Sequence, residues 1–106
     1  MKKYLIKASY NSNGVKGIMK DGGSKRKSEV QKMIEGMGGK LESFYFAFGE
    51  HDAYVTVELQ DDITAAAVVS KVNAFGVVSV TTTVLLTPED VDAALKKSVS
   101  YKAPGE

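Results

Sequence analysis

Apolar residues recur along this chain with two different periods, and the order in which those periods alternate leaves few folds open. From Lys3 to Tyr10 the period is two: Tyr4, Ile6, Ala8 and Tyr10 fall on one side of an extended segment and Leu5, Lys7 and Ser9 on the other, the pattern of a strand. Asn11-Ser12-Asn13-Gly14 follows with turn chemistry, and a loop containing one helical turn at Val15 to Met19 is expected. From Ser28 the spacing becomes helical, with Val30, Met33, Ile34 and Met37 at i, i+3, i+4 and i+7. Ser28 with Gln31 can form a capping box, Ser24 offers an earlier start, and Gly38-Gly39 closes the helix.

Lys40 to Phe48 and Asp52 to Gln60 return to period two, and Gly49-Glu50-His51 between them is short enough for a hairpin. Alternation places Phe44, Phe46 and Phe48 on one face and Leu41, Tyr45 and Ala47 on the other; in the next strand Ala53, Val55, Val57 and Leu59 oppose Tyr54, Thr56 and Glu58. Asp61-Asp62 caps a second helix, whose Ala65, Val68, Val69, Val72 and Phe75 keep helical spacing as far as Gly76. Val77 to Leu86 is a β-branched run and reads as the fourth strand. Thr87 caps a last helix with Pro88 at its first position and an apolar stripe of Val91, Ala94 and Leu95. Residues 1–97 are expected to form one domain, and Ser98 to Glu106 an extended tail.

The order is β-α-β-β-α-β plus a terminal helix, the split βαβ pattern of ferredoxin-like folds. The fold class expected is therefore α+β: a four-stranded antiparallel sheet with its helices on one face and an extra C-terminal helix. If Val55 and Val57 point toward the helices, Tyr54 and Thr56 point away, and so do Thr81, Thr83 and Leu85 on the last strand. Three helices are too few to cover both sides, so this mixed threonine, tyrosine and aliphatic face is expected to be an interface with a second copy of the chain.

Composition narrows the function classes more than it names one. The absence of cysteine removes disulfides, thiolate ligands and a cysteine nucleophile, and fits a reducing compartment. The start, Met1-Lys2-Lys3-Tyr4-Leu5-Ile6-Lys7, is broken by Lys7, Ser9 and Asn11 before it could act as a signal sequence, and no stretch reaches the roughly 20 apolar residues of a membrane span. A cytoplasmic protein without membrane contact is expected. Residues 1–40 carry ten Lys and Arg against Asp21, Glu29 and Glu35, a net +7, and the remainder a net −6. The positive half could attract an anionic ligand, or the two halves could steer self-association. Nucleic acid is not expected, since Arg26 is the only arginine.

Further residues carry a resemblance. The Asn13-Gly14-Val15-Lys16 loop, the Gly38-Gly39-Lys40-Leu41 entry to the second strand, Phe48-Gly49-Glu50-His51-Asp52, the Asp61-Asp62 cap and Thr81-Thr82-Thr83, in that order, resemble the GYD domain family from about Lys3 to Leu95. The resemblance implies a dimeric α/β barrel, in which two ferredoxin-like protomers pack sheet against sheet. It implies no settled activity. The naming motif resembles Gly-x-Tyr-Asp, and His51 stands here where that motif has tyrosine.

His51, the only histidine, is the best reactive group of the chain, and would be the catalytic proton-transfer residue if the protein were an enzyme. Asp52 follows it, but consecutive strand residues point to opposite faces, so an orienting bond between them is not assured. One histidine and a few carboxylates fall short of a zinc set. Haem would need an axial histidine and an apolar pocket, whereas hairpin ends are usually solvated; no cofactor is expected. Gly22-Gly23-Ser24-Lys25-Arg26 lacks the spacing of a phosphate-binding P-loop. The leading expectation is a homodimer or higher oligomer that binds a small organic or anionic ligand between sheet and helices near the hairpin, through His51, Asp52, Tyr10, Asn11, Tyr45, Tyr54 and Arg26. The alternatives are a cofactor-independent oxygenase or isomerase using His51, and a purely structural assembly module.

Overall fold

In the computed structural model, which describes residues 1–106, the chain runs β1 (Lys2–Tyr10), α1 (Ser12–Asp21), α2 (Gly23–Gly36), β2 (Lys40–Phe46), β3 (Ala53–Leu59), α3 (Asp62–Phe75), β4 (Val78–Leu85) and α4 (Pro88–Leu95). The strands form one antiparallel sheet in the order β2-β3-β1-β4. This is the ferredoxin-like arrangement expected of the pattern, with the two chain-distant strands β1 and β3 side by side at the centre. Alternation decides what each strand buries. Tyr4, Ala8, Ala53, Val55, Val57, Leu59 and Val78 point to the helices and are buried, together with Ile34 of α2 and Ala65 and Val68 of α3. Each of the larger aliphatic side chains among them contributes about 1.5–3 kcal/mol through burial.

The structure departs from the sequence reading in local ways, each with a physical cause. Residues after Asn11 form a ten-residue helix where a loop with one turn was expected. The Asn11 side chain accepts a hydrogen bond from the Gly14 amide at 2.9 Å, and Val15, Ile18 and Met19 keep helical spacing, which suffices to carry the helix through two internal glycines. α2 begins at Gly23, without a side-chain cap, so neither Ser28 nor Ser24 starts it. Both hairpin strands are shorter than expected, ending at Phe46 and beginning at Ala53. Leu41 also changes sides: a register shift between Leu41 and Ser43 sets it opposite Val57 while Phe44 faces Val55, so both reach the helix side. A bulge of this kind adds one residue and inverts the alternation beyond it.

Two glycines are required by the path. Gly76 ends α3 with φ of +84°, in the left-handed region. Gly39 lets the end of α2 pass into β2 beside β3, where a Cβ would run into the Glu58 carbonyl and lie 2.6 Å from the Leu59 side chain.

Beyond β4 the chain leaves the body. Thr87 and Asp90 form the capping box of α4, with Pro88 at its first turn, yet α4 buries no residue, and Leu86, Val91, Leu95, Val99 and Tyr101 are all exposed. The radius of gyration is 17.0 Å, against about 13 Å for a compact chain of this size. α4 carries its apolar stripe of Val91, Ala94 and Leu95, but none of these residues is buried by the same chain. No helix is long and apolar enough to cross a membrane.

Candidate functional site

The sheet divides the residues that the sequence singled out. Ser9, Tyr54 and Tyr45 stand on the face away from the helices, and His51 joins them. Its Nδ1 lies 3.2 Å from Ser9 Oγ and its ring meets Tyr54 edge-on, with centroids 5.8 Å apart. Tyr45 is the cross-strand neighbour of Tyr54 and is exposed. Asp52 does not orient the imidazole. Its Oδ2 accepts a hydrogen bond from the Tyr10 amide at 2.8 Å, and its own amide donates to the Ala8 carbonyl, so it ties the hairpin to β1. The nearest carboxylate to His51 is that of Glu50, 3.9 Å from Nε2 and largely exposed.

Asn11 is likewise engaged in structure, capping α1 and donating from Nδ2 to the Gly76 carbonyl at 2.7 Å. Tyr10 and Arg26 lie on the helix side. Arg26 Nε donates to the Tyr10 hydroxyl at 3.4 Å, and the guanidinium carbon stands 5.7 Å from the centre of the Tyr10 ring, an arrangement that holds a cation against an aromatic wall.

Other residues, together with Arg26, enclose an opening into the core. α2 and α3 both pack on the sheet but stand apart from one another, leaving a cleft of about 390 Å³ walled by Val30 and Met33 of α2, Val72 and Phe75 of α3, and Val77 and Val78. Its inner end continues to Ile6, Ala8, Phe44 and Val55, where Arg26 is the only charged neighbour. The rim carries Arg26, Glu29 and Lys71. A second, wider hollow of about 490 Å³ lies between α1 and the hairpin, bounded by Val15, Met19, Phe46, Phe48 and Tyr10, with Phe48 fully exposed. Val30, Met33, Val72 and Phe75 were legible as members of two helical stripes; the gap between the two stripes depends on how far apart the helices sit, which spacing along the chain does not encode.

The outer face is more polar than its threonines and leucines suggest. At the end of the sheet opposite the hairpin, Lys3 Nζ bonds Glu42 Oε1 at 2.6 Å and Glu58 Oε1 at 3.1 Å. Those bonds hold the Lys3 ammonium above its ordinary range and the Glu58 carboxyl below its own. The middle of the face presents Leu5, Thr56 and Thr83 in one row and Lys7, Tyr54 and Thr81 in the next, with Leu85 beyond. No cluster of three or more histidine or carboxylate side chains is placed to hold a metal ion.

Among known proteins, the model of the GYD domain matches residues 4–95. No curated protein and no solved structure matches the chain.

Proposed function

The chain belongs to the GYD domain family, and from the way this domain is built we propose that it is a homo-oligomeric protein that binds a small ligand between its sheet and its helices. The observation that carries the reading is the cleft between α2 and α3: about 390 Å³, apolar in its walls, polar only at its rim, and within the size range of small-molecule sites. Closing it by moving the helices together would bury Phe75, which is now exposed, so a ligand that fills it gains the same apolar contact. Assembly is supported by the outer sheet face, which none of the chain's own helices covers, and by the exposed apolar side chains of α4 and the residues after it. In this reading Tyr54, Thr56, Thr81, Thr83 and Leu85 meet a second copy.

One observation favours a second reading. His51, Ser9 and Tyr54 converge on the outer face, where a proton-transfer group with a hydroxyl beside it would serve a cofactor-independent oxygenase or isomerase. A single experiment separates the readings: thermal-shift and NMR screening of the purified protein against metabolites and aromatic acids, with its visible spectrum recorded first. A binder that moves the signals of Val30, Met33 and Val72, and still binds within a few-fold after His51→Ala, is the expected result. Turnover abolished by His51→Ala would support the enzyme instead. Self-association with no ligand at all would leave only an assembly module.

A further inference from the structure

We propose that the occupant of the α2–α3 cleft is an amphipathic monocarboxylate, its apolar body lying along Val30, Met33 and Val72 and its carboxylate held at the rim by Arg26 with Lys71; this rests on the small-ligand reading above.

None of the ion pairs of the molecule includes Arg26 or Lys71, although both stand at the rim of the same cleft, one on α2 and one on α3. Glu29 shares that rim, but its carboxylate lies 3.9 Å from Lys32, one turn further along its own helix. Two cations therefore stand at the cleft without an acidic partner, and one carboxylate beside them already has a neighbouring ammonium. An anion placed between Arg26 and Lys71 answers the imbalance.

Geometry then selects the kind of anion. Arg26 spends only Nε within the chain, on the Tyr10 hydroxyl, and the Tyr10 ring fixes the plane of the guanidinium from one side. The two Nη groups remain, and they form the planar fork that pairs with a carboxylate through two parallel hydrogen bonds. A phosphate or another dianion would bring a second charge close to Glu29, and no glycine-rich turn or serine lines this cleft to take up its extra oxygens. The body must be apolar, because the inner end offers Ile6, Ala8, Val55 and Val72, and its polar groups are Arg26 and the Tyr10 hydroxyl that Arg26 already engages. Met33, unbranched and polarisable, lets the wall adapt to a straight or a ringed hydrocarbon.

The test uses three probes with one ten-carbon body and different heads: decanoate, 1-decanol and decylammonium, titrated into the full chain and followed by methyl NMR and calorimetry. Decanoate is expected to shift the methyls of Val30, Met33 and Val72 and to bind about tenfold more tightly than decanol, the usual worth of a charge-assisted bond; decylammonium should bind less tightly than decanol. Arg26→Gln should erase the preference for decanoate over decanol while decanol still binds, and Arg26→Lys should restore part of the preference. The affinity of decanol for each variant serves as its own check on folding.

Equal binding of decanoate and decanol in the wild type, or a preference untouched by Arg26→Gln, would overturn the carboxylate assignment and leave the cleft as a ligand site. Failure of all three probes to shift these methyls would overturn both. If decanoate instead disperses an oligomer, and Val99→Asp does the same, the cleft holds a neighbouring chain's C-terminal segment and the proposal is wrong.

Discussion

The two faces of the sheet share one backbone and differ in everything that their alternate side chains meet. On the helix side, Tyr4, Ala8, Val55, Val57 and Leu59 are buried under α2 and α3. One residue along in each case, Leu5, Lys7, Thr56 and Tyr54 face away and stay partly exposed. Period two makes this difference compulsory, because successive side chains leave a strand on opposite sides. Cover, more than composition, separates the faces: the inner face is closed over its centre and opens where α2 and α3 diverge and between α1 and the hairpin, whereas the outer face has no cover from its own chain. In the first, the opening between α2 and α3 is small enough for a metabolite. The second is a broad sheet of mixed polar and apolar side chains.

The largest expected effect breaks the inner face. Ile34, fully buried at the end of α2, should cost about 2–5 kcal/mol when changed to alanine, read by urea unfolding, whereas Thr83→Ala outside should stay within about 0.5 kcal/mol in the same assay under conditions where the chain is monomeric. Similar losses at both positions would show that the two faces are not distinct. A smaller effect, of opposite sign, is expected at Thr82. It is the one inner-face residue whose buried side-chain oxygen has no hydrogen-bond partner. Thr82→Val removes that oxygen at nearly constant shape and should stabilise by about 1 kcal/mol; destabilisation would mean that the hydroxyl has a partner in solution.

The smallest effects are electrostatic and lie where the inner face reaches solvent. Tyr4 donates to Asp62 Oδ1 at 2.7 Å, and burial, then that carboxylate, push its phenol up to about 12. The unfolded chain loses this proton first, so the contribution is intact below the ordinary value of 10.0 and is lost as pH rises toward about 12. Asp62 runs the other way. The Tyr4 hydroxyl, then Lys2, hold its carboxyl below the ordinary value of 3.8, so its contribution is present above that value and disappears as pH falls through the lowered one. Tyr4→Phe should flatten both ends of the stability profile measured by thermal melts; an unchanged alkaline limb would contradict the assigned hydrogen bond.

How much of this was legible along the chain follows the range of the interaction involved. Strand alternation, the Asp61 cap on α3 and the Thr87-Pro88 start of α4 depend on near neighbours and were readable. α1 was under-read, since Gly14 and Gly17 obscured a helix that Asn11 caps and Val15, Ile18 and Met19 support. The displacement of Leu41 required knowing of a bulge, which is a property of a strand pair. At the candidate site, Tyr10 and Arg26 come together, while His51 and Asp52, adjacent in sequence, point to different partners. Lys71 carried no signal: it matters only because the helix it stands on sits across a cleft from Arg26.

The proposal that the outer face pairs with a second copy, while the helices cover the inner one, is tested most directly by adding a neutral paramagnetic cosolute to the methyl-labelled protein at high concentration. The methyl signals of Leu5, Thr83 and Leu85 are predicted to lose no more intensity than that of Val57 in the core. Attenuation of the three as strong as that of the exposed Val99 would show that solvent reaches the outer face in the assembled protein, and would contradict the account.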